Sequence, residues 1–476
     1  MEKITLKGFI LLVLFCMLIA ACSFGGPAAS LTPLPTSPPR IIRQTVIVTA
    51  TPEIKATKKT ATPQQVQEQL LVFNWWTGSG DHQAADAMFK AFNDRYPNIN
   101  IVNNPVPGDT GSLNEHVVLQ VRLSAGLPPD SWQTMAGAEL KGYVDNKQLQ
   151  PLDDLYKQLG YSDKIPKPLL NAVTIGGHPY SVPLNLHIQN ILYYNKKLFD
   201  DNQLTPPATY DDLMATCKKL RTLKPGMSCL ALASNEKWGD VFVFDSLLLG
   251  EPGGARHYVD IYKGDVDVSA DSDFKDALKK YAALIPYINA DHVNLTWDQA
   301  VGYVGAGKSA MTLMGTWAIA AFKSSSNWNP GVDFGAVSFP SKPDRILLFQ
   351  SDTYGCAVGA PNQDACLKWL GIVASQDLQV PADLAQGGLF ARTDIDPAKF
   401  PDPFRKEMQN TINQKPGNLI LDQNGSILDN TIRPLYWDAI ASFTLNPINP
   451  NATARAIQAL FKTYNVKSGS SWYQWP

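Results

Sequence analysis

The chain has 476 residues, of which 45% are hydrophobic and 10% aromatic, a composition that excludes an intrinsically disordered protein. Its 41 Lys and Arg residues nearly balance its 43 Asp and Glu residues, so the formal net charge is −2. Because nucleic-acid binding depends on clustered basic side chains that neutralise phosphates, this balance argues against a nucleic-acid partner.

The first 21 residues have the pattern of a secretory signal peptide. Lys3 and Lys7 precede an apolar run at residues 9–21, which is too short to cross a bilayer because a spanning helix needs about 20 apolar residues. The run ends in Leu-Ile-Ala-Ala-Cys at residues 18–22, which resembles the bacterial lipobox, where cleavage before the cysteine frees it to carry lipid. We therefore predict a signal peptide at residues 1–21 and lipidation of Cys22 on the outer face of the cell membrane. An ordinary signal peptide with a chance cysteine is the alternative.

Residues 22–70 are predicted to form a flexible tether. Residues 23–70 contain seven Pro and eight Thr and lack apolar periodicity, so they cannot offset the entropy cost of folding. A flexible chain of this length spans roughly 40 Å on average. The folded part, from residue 71 onwards, would then be held near the membrane but remain free to move.

The folded part begins with a pattern of strand, helix and strand. Residues 71–76 and 99–102 are short apolar runs that predict strands, and Pro97 ends the helix between them. This helix has apolar residues at the i, i+3, i+4 and i+7 spacing of an amphipathic helix, namely Ala85, Met88, Phe89 and Phe92. The two strands are therefore predicted to be parallel neighbours.

A second helix is predicted next, with a buried stripe at Leu113, Val117 and Val121. Residues 128–130, Pro-Pro-Asp, introduce a strand that runs through Trp132. The alternation continues, and it predicts an α/β fold of parallel sheets flanked by helices in two lobes. Such sheets bind ligands at the ends of their strands.

Two later helices have predicted N-caps. Thr209 and Asp212 form a capping box at the start of one helix. Asn362 is predicted to cap another, whose apolar face carries Cys366 and Trp369 and which follows strand-like runs at residues 346–349 and 353–358.

Four cysteines lie in the folded part: Cys217, Cys229, Cys356 and Cys366. In an oxidising exterior, four cysteines allow three pairings. The short separations favour Cys217 with Cys229 and Cys356 with Cys366, which would make two local disulfides. The alternative is that they are small buried hydrophobic residues, since Cys217 and Cys366 both fall on apolar helix faces.

Residues 302–309 match the phosphate-loop pattern G-x-x-x-x-G-K-S, which is typical of nucleotide-binding enzymes. A phosphate loop must follow a buried strand and open a helix, so that its backbone amides converge on the anion. Here the predicted order is reversed, because a helix at residues 296–303 precedes the loop and a strand-like run at residues 310–314 follows it. The sequence therefore argues against nucleotide binding.

Motifs of hydrolytic enzymes and of metal sites are missing from the sequence. There is no G-x-S-x-G elbow and no H-E-x-x-H helix, and none of the six histidines forms an i, i+4 pair. We therefore predict no catalytic residue, no metal site and no cofactor. A glycosidase stays open as an alternative, because two acids that face one cleft could come from anywhere in the chain.

Tryptophan is the residue type that suggests a ligand. Several of the eleven tryptophans stand next to polar residues in turn-like sequence, whereas Trp369 and Trp437 are predicted to fill cores or interfaces. A sugar ring has an apolar C–H face and a polar edge, so a sugar site needs flat aromatic side chains for stacking and polar side chains at the rim. The candidate stacking residues are Trp75, Trp76, Trp238, Trp297 and Trp317, with Asp81, Gln133, Asp240 and Asp352 as polar partners.

Several motifs together resemble the extracellular solute-binding proteins of sugar ABC importers. The leader and lipobox are followed by Phe-Asn-Trp-Trp at residues 73–76 and by a helix that ends in Phe-Asn-Asp-Arg-Tyr-Pro at residues 92–97. Residues 180–185, which run into residues 192–196, are similar to the first crossing between the lobes in that family. Residues 307–317 resemble the family's G-K-A-A-M segment before a sugar-stacking tryptophan, which explains the false phosphate loop.

Five further motifs are the Trp pair at residues 75–76, Pro-Pro-Asp at 128–130 followed by Gln133, Gly-Ala-Glu-Leu at 137–140, Thr-Trp-Asp at 296–298 and Ser-Asp-Thr at 351–353. By these motifs the sequence is, within that family, most similar to the glucose and mannose binders. This resemblance implies sugar contacts from Trp76, Asp81, Gln133, His187, Trp238, Trp317 and Asp352. The sequence departs from the subgroup at Thr316, where an aspartate is usual, at Met135, where a histidine is expected, and at residues 428–430, near which Ala-His-Gly is common. Because a hydroxyl is recognised by the hydrogen bonds it makes, these departures affect which sugar would be bound.

The resemblance implies a two-lobed, type II periplasmic-binding-protein-like fold with the ligand cleft between the lobes. Lobe 1 would comprise residues 71–183 and about 350–400, and lobe 2 residues about 190–345 and 405–476. We therefore predict an extracytoplasmic, monomeric receptor, not an enzyme, that closes on a mono- or oligosaccharide and presents it to an ABC permease. The alternatives are a secreted carbohydrate-active hydrolase and a receptor for a non-sugar solute such as a peptide or polyamine.

Overall fold

The computed structural model describes residues 68–78, 80–106, 112–342 and 345–473. The predicted signal peptide, the lipidation of Cys22 and most of the predicted tether lie outside these residues. Residues 68–70 belong to the first strand rather than to the tether, since that strand begins at Glu68.

Strands and helices alternate along most of the described chain. The strands are β1 (Glu68–Asn74), β2 (Ile99–Pro105), β3 (Ser131–Met135), β4 (Thr174–Ile175), β5 (His178–Pro179), β6 (Val182–Pro183), β7 (Asn185–Ile188), β8 (Ile191–Asn195), β9 (Ser228–Ala231), β10 (Ser309–Met314), β11 (Phe334–Ser338), β12 (Leu347–Gln350), β13 (Asp352–Cys356), β14 (Leu389–Phe390) and β15 (Leu419–Leu421). The helices are α1 (Asp81–Arg95), α2 (Leu113–Ser124), α3 (Ala138–Asp145), α4 (Asp153–Leu159), α5 (Lys167–Val173), α6 (Lys196–Asp201), α7 (Tyr210–Leu223), α8 (Trp238–Leu249), α9 (Gly254–Tyr262), α10 (Ser272–Leu284), α11 (Trp297–Gly305), α12 (Ala318–Ser326), α13 (Gln363–Val373), α14 (Gln376–Gln386), α15 (Pro403–Gln414), α16 (Arg433–Leu445), α17 (Pro450–Thr463) and α18 (Val466–Gly469).

The first of two large sheets has the strand order β2-β1-β3-β13-β6. Strand β1 pairs in parallel with both β2 and β3, and β13 is antiparallel to β3 and β6. Helix α1 joins β1 to β2 and buries Ala84, Ala85, Met88 and Phe92. The predicted unit of strand, helix and strand at the start of the folded part is therefore confirmed.

The buried face of α2 differs from the predicted stripe, which was wrong. Val117 and Val121 are 64% and 68% exposed, whereas Glu115 and Leu119 are buried. The two faces are two residues apart, and two residues turn an α-helix by about 200°. Ser112, directly before the helix, donates a hydrogen bond to a buried carboxylate of α3. This polar contact helps to fix the rotation of α2 about its axis, although that rotation leaves the apolar valines exposed.

The second large sheet has the strand order β11-β8-β10-β9. Strand β8 is antiparallel to β10 and β11, and β10 is parallel to β9. The capping box of α7 is confirmed, because Thr209 Oγ1 accepts from the Asp212 N–H at 3.2 Å and the Asp212 carboxylate accepts from the Thr209 N–H at 3.0 Å. Asn362 is the N-cap residue of α13, as predicted, but its side chain makes no capping hydrogen bond and its amide donates to Asp130 Oδ2 at 3.1 Å instead.

Two disulfides each join a helix to a neighbouring strand. Cys217 of α7 is bonded to Cys229 of β9, with their Cα atoms 5.1 Å apart. Cys356 of β13 is bonded to Cys366 of α13, with their Cα atoms 6.0 Å apart. The structure therefore contains the two pairings that the short separations favour.

A smaller sheet, with the order β14-β7-β12-β15, connects the two large sheets. The chain leaves the first sheet at β6 and passes through β7 into β8 of the second sheet, and it returns from β11 through β12 to β13. Strands β7 and β12 run antiparallel, with His187 opposite Gln350. This connection gives the predicted two-lobed α/β arrangement, although the sheets are mixed rather than parallel, because the strands that cross between the lobes run antiparallel to their neighbours. It also places polar side chains of the crossing strands between the lobes.

The phosphate-loop pattern does not have the structure of a phosphate loop. Residues 302–309 lie at the end of α11 and at the start of β10, so a helix precedes the loop and a strand follows it. Within the part of the chain that the structure describes, no helix combines the length and the apolar character that crossing a bilayer requires.

Candidate functional site

A cavity lies between the two lobes, beside the strands that cross from one to the other. About 610 Å³ of space free of protein atoms lies along it, a volume that includes solvent at its open side. Its lining combines tryptophans from both lobes with a small set of acidic, amide, imidazole and guanidinium groups. This mixture of flat apolar surfaces and few polar groups is typical of a small-molecule site.

Aromatic side chains of the second lobe form one wall, with Trp317 at its centre. Trp317 lies between β10 and α12, and its ring centroid is 6.1 Å from those of Trp238 and Phe242 and 6.5 Å from that of Trp297. Gly315 makes this position possible, because a Cβ atom there would overlap the Trp317 ring. Trp297 and Trp317 remain partly exposed, so the wall offers indole surface to a ligand.

Trp75 and Trp76 line the cavity from the first lobe. They directly follow β1, at the edge where the parallel strands of the first sheet have their carboxyl ends. The backbone N–H of Trp75 donates to Gln133 Oε1 at 3.2 Å, and that of Trp76 donates to Asn74 Oδ1 at 3.1 Å. These two hydrogen bonds hold the segment that presents both indoles.

Asp352 is the centre of a buried polar network between these walls. Its Oδ1 accepts from Gln133 Nε2 at 3.0 Å, and its Oδ2 accepts from Asn185 Nδ2 at 2.9 Å. His187 Nε2 lies 3.4 Å from the same Oδ2 atom. Because these side chains belong to β3, β7 and β13, the network links the first sheet to the crossing strands.

The network continues from His187 to Asp81. His187 Nε2 lies 3.0 Å from Gln386 Oε1, which accepts the hydrogen bond when this nitrogen carries the ring proton. Gln386 Nε2 in turn donates to Asp81 Oδ1 at 3.0 Å. Thr316, which stands where the resemblance leads us to expect an aspartate, has its Oγ1 2.8 Å from His187 Nδ1. In this chain, the residue before Trp317 therefore supports His187.

Burial raises the pKa of the Asp81 carboxyl to about 6. The negative charge of Asp352 adds to this effect, whereas the hydrogen bond from Gln386 and the nearby His187 and His82 oppose it. The side chain is partly exposed and lines the cavity. Near neutral pH, most molecules therefore present an ionised Asp81 carboxylate, which can accept hydrogen bonds from a ligand.

Arg433 and Trp437 of α16 also line the cavity, although neither is among the predicted ligand contacts. Arg433 Nη2 donates to Ser112 Oγ at 3.0 Å and lies 3.4 Å from Glu139 Oε2. The guanidinium carbon of Arg433 is 5.3 Å from the Trp437 ring centroid. Trp437 is buried, as predicted for a core or interface residue, and it also lines the cavity. Its spacing of four residues from Arg433, which puts both on one helix face, is the signal that could have indicated a shared role.

Eight of the ten candidate ligand-binding side chains line the cavity, all except Gln133 and Asp240. Gln133 lies behind the lining and positions Trp75 and Asp352. Asp240 is corrected as a candidate, because it follows Trp238 by two positions in α8 and so points about 200° away, into the lobe. There it accepts from Ser234 Oγ at 3.0 Å, and burial raises its pKa to about 6. The lining residues that are not among the predicted contacts are Ser112, Met135, Phe242, Gln350, Gln386, Asn424, Arg433 and Trp437.

Residues 77–380 match the family model described as bacterial extracellular solute-binding protein. Over 413 residues, the chain is 35% identical to an uncharacterized ABC transporter extracellular-binding protein of Pyrococcus horikoshii, which covers 86% of this chain and 91% of that protein. This chain belongs to the bacterial extracellular solute-binding protein family. Membership confirms the prediction of an extracytoplasmic binding protein rather than an enzyme.

Two further similarities concern this solute-binding protein's relatives and its fold. It is 25% identical over 339 residues to a Brucella melitensis protein named "probable sugar-binding periplasmic protein", with 71% of this chain and 78% of that protein covered. A structure solved in work on xylan utilization by the thermophilic bacterium Caldanaerobius polysaccharolyticus superposes with a TM-score of 0.73 at 24% identity, covering 82% of this chain and 99% of that one. The latter similarity confirms the predicted two-lobed fold. In the described residues, no cluster of three or more His, Cys, Asp or Glu side chains could hold a metal ion.

Proposed function

We propose that this solute-binding protein binds a mono- or oligosaccharide of the glucose or mannose type and delivers it to an ABC permease. The observation that carries the proposal is the cavity between the lobes, where tryptophans of both lobes surround the network of Asp81, His187 and Asp352. The name of the Brucella melitensis relative supports a sugar as the ligand.

The chemistry of the cavity suits a pyranose. The ring presents C–H groups on its faces, which stack against indoles such as those of Trp76 and Trp317. Its hydroxyls lie at the edge and donate to carboxylates such as those of Asp81 and Asp352. No covalent step is involved, and a micromolar dissociation constant corresponds to about −8 kcal/mol, which several such contacts can supply.

Closure of the lobes would couple binding to transport. We assign residues 71–183 and about 350–400 to lobe 1, and about 190–345 and 405–476 to lobe 2, with β7 and β12 as crossing strands. Only the closed arrangement lets a ligand contact both walls of the cavity, so the ligand favours it. The permease would then recognise the closed form.

A panel of solutes tests the function directly. A ligand that binds only the folded state stabilises it by RT ln(1 + [L]/Kd), so the cognate solute raises the melting temperature. The panel includes neutral mono- and oligosaccharides, peptides and polyamines. A response to peptides or polyamines alone would contradict the proposal. Labelled oligosaccharides recovered unchanged after incubation distinguish a receptor from a carbohydrate-active hydrolase.

We predict that sugar affinity falls as the pH drops below about 6. The Asp81 carboxyl, with a pKa of about 6 in the free protein, accepts ligand hydroxyls only when ionised. Binding therefore favours the ionised form, and affinity decreases by up to about tenfold per pH unit below that pKa. Calorimetric titrations between about pH 5 and pH 8 measure the profile. The Asp81→Asn variant, which has no titrating carboxyl, should give a flatter profile, and an unchanged slope would assign the effect to another group.

We also propose that residues 1–21 are a signal peptide and that Cys22 carries the lipid that anchors residues 22–70 as a tether to the membrane. Replacement of Cys22 by alanine should move the protein from the membrane fraction into the soluble exported fraction, because the thiol that carries lipid is lost. Cys16→Ala, a change within the signal peptide, is the matched control and should leave the protein membrane-bound. A Cys22→Ala protein that stays membrane-bound would contradict the anchor.

A further inference from the structure

Four polar atoms of the cavity lining have no hydrogen-bond partner among the described residues. They are Gln350 Oε1, Asn424 Oδ1, Arg433 Nε and Trp437 Nε1, and all four residues line the cavity. Buried polar atoms without a partner are rare in folded proteins, because losing water without gaining a hydrogen bond is costly. What distinguishes these four from other buried atoms without a partner, such as Trp369 Nε1, is that their residues line the cavity, where a bound ligand can supply the missing hydrogen bonds.

Arg433 is held firmly, which leaves its Nε in a defined place. Its Nη2 donates to Ser112 Oγ at 3.0 Å and lies 3.4 Å from Glu139 Oε2, and its Nη1 lies 3.5 Å from Met135 Sδ. Gly425 has a φ of 81°, and a Cβ atom there would overlap Nη1. The backbone is thus shaped to let the guanidinium lie against it.

The unpartnered atoms select for hydroxyl groups. Two of them, the amide oxygens of Gln350 and Asn424, accept hydrogen bonds, and two, Arg433 Nε and Trp437 Nε1, donate them. A hydroxyl group can both donate and accept a hydrogen bond. A carboxylate can only accept, so the amide oxygens of Gln350 and Asn424 would repel it. Glu139 also pairs with the charge of Arg433. The arrangement therefore suits a neutral sugar better than an acidic one.

We propose that Gln350, Asn424, Arg433 and Trp437 form a second sugar-binding subsite, the C-terminal subsite, that reads hydroxyl groups of a neutral pyranose and determines which sugar is accepted. This inference rests on the proposed function. Asp81 and Asp352 can only accept hydroxyl protons when ionised, whereas the C-terminal subsite both donates and accepts. Arg433 contacts Met135, one of the positions where the sequence departs from the glucose and mannose binders, so it supplies polar groups that this departure removes.

Two conservative variants test the subsite without emptying the cavity. Trp437→Phe keeps an aromatic ring but removes the indole N–H, and Gln350→Met keeps the side-chain length but removes the amide. Each should weaken binding about five- to tenfold in calorimetry, the usual effect of losing one hydrogen bond to a ligand. Trp369→Phe is the matched control, because Trp369 Nε1 also lacks a partner in the described residues but lies in the core, outside the cavity lining. The sugar affinity of the Trp369→Phe variant should match that of the wild type.

The probes are the neutral sugar with the largest thermal shift, its monodeoxy analogues and the corresponding uronic acid. Removing the hydroxyl that Trp437 binds should lower the affinity of the wild type about tenfold. The same change should lower the affinity of Trp437→Phe less than about twofold, because that variant has already lost the N–H that the hydroxyl contacts. The uronic acid should bind at least about tenfold more weakly than the neutral sugar. Unchanged affinity in both variants, or tighter binding of the uronic acid, would contradict the proposed subsite. Sugar binding by the wild type would still support the proposed function. Failure of every sugar to bind the wild type would overturn the proposed function itself.

Discussion

Replacing Trp317 with alanine is expected to abolish sugar binding while the protein still unfolds cooperatively. Trp317 is the central indole of the aromatic wall, with the rings of His187, Trp238 and Trp297 within 6.5 Å of it. Removing it takes away the stacking surface and loosens its neighbours, which should weaken binding by about 100-fold or more, or about 3 kcal/mol. Calorimetric titration with the sugar identified by the panel measures the loss.

The fold should tolerate this change because Trp317 is partly exposed at the cavity rather than sealed in a core. Its removal enlarges a space that already exists, so the stability loss should be smaller than the roughly 3–5 kcal/mol typical of a fully buried tryptophan. Trp472→Ala is the control, because Trp472 is also partly buried but does not line the cavity. It should bind normally. Undiminished affinity of Trp317→Ala would remove that indole from the site.

Replacing Asp352 with alanine is expected to reduce both stability and binding. The carboxylate accepts hydrogen bonds from Gln133 and Asn185 and lies beside His187, and all of these groups are buried. Its loss leaves their donors without a partner, which should lower the free energy of unfolding by about 3 kcal/mol. Sugar affinity should also fall at least tenfold, because the network that orders His187 and the crossing strands is broken. Urea denaturation and calorimetry measure the two effects.

A surface pair of the same residue types provides the control. Asp153 Oδ1 lies 2.9 Å from His178 Nδ1, and both side chains are about half exposed. Because solvent screens such pairs, Asp153→Ala should cost less than about 1 kcal/mol and leave binding unchanged. If Asp352→Ala unfolds at the same urea concentration as Asp153→Ala, the proposed role of the buried network is wrong.

The secondary structure could be predicted from local patterns. The spacing of Ala85, Met88 and Phe92 predicts α1, and the Thr209 and Asp212 pair predicts the start of α7, because these signals arise within one or two helical turns. The prediction failed where a distant contact prevailed. In α2 the valine stripe faces solvent, and at the N-cap position of α13 the Asn362 side chain bonds to Asp130 rather than to the first turn of the helix.

The candidate site could be predicted only in part. Tryptophans beside polar residues in turns indicated ligand contacts, and the chosen ones line the cavity. The same reasoning chose Asp240, which points into the lobe, and missed Arg433 and Trp437, which look like ordinary positions of an amphipathic helix. Side-chain direction relative to a neighbouring lobe leaves no trace in local sequence.

The sequence by itself determined the order of strands and helices and the residue types available for a ligand, because both depend on spacings of a few residues. Only the tertiary structure decided which side chains meet in the cavity. Gln386 bonds to Asp81 across 305 positions of sequence, and Arg433 bonds to Ser112 across 321. The first contact lies within lobe 1 and the second joins the two lobes, and the packing of whole sheets and helices, not any local pattern, sets both.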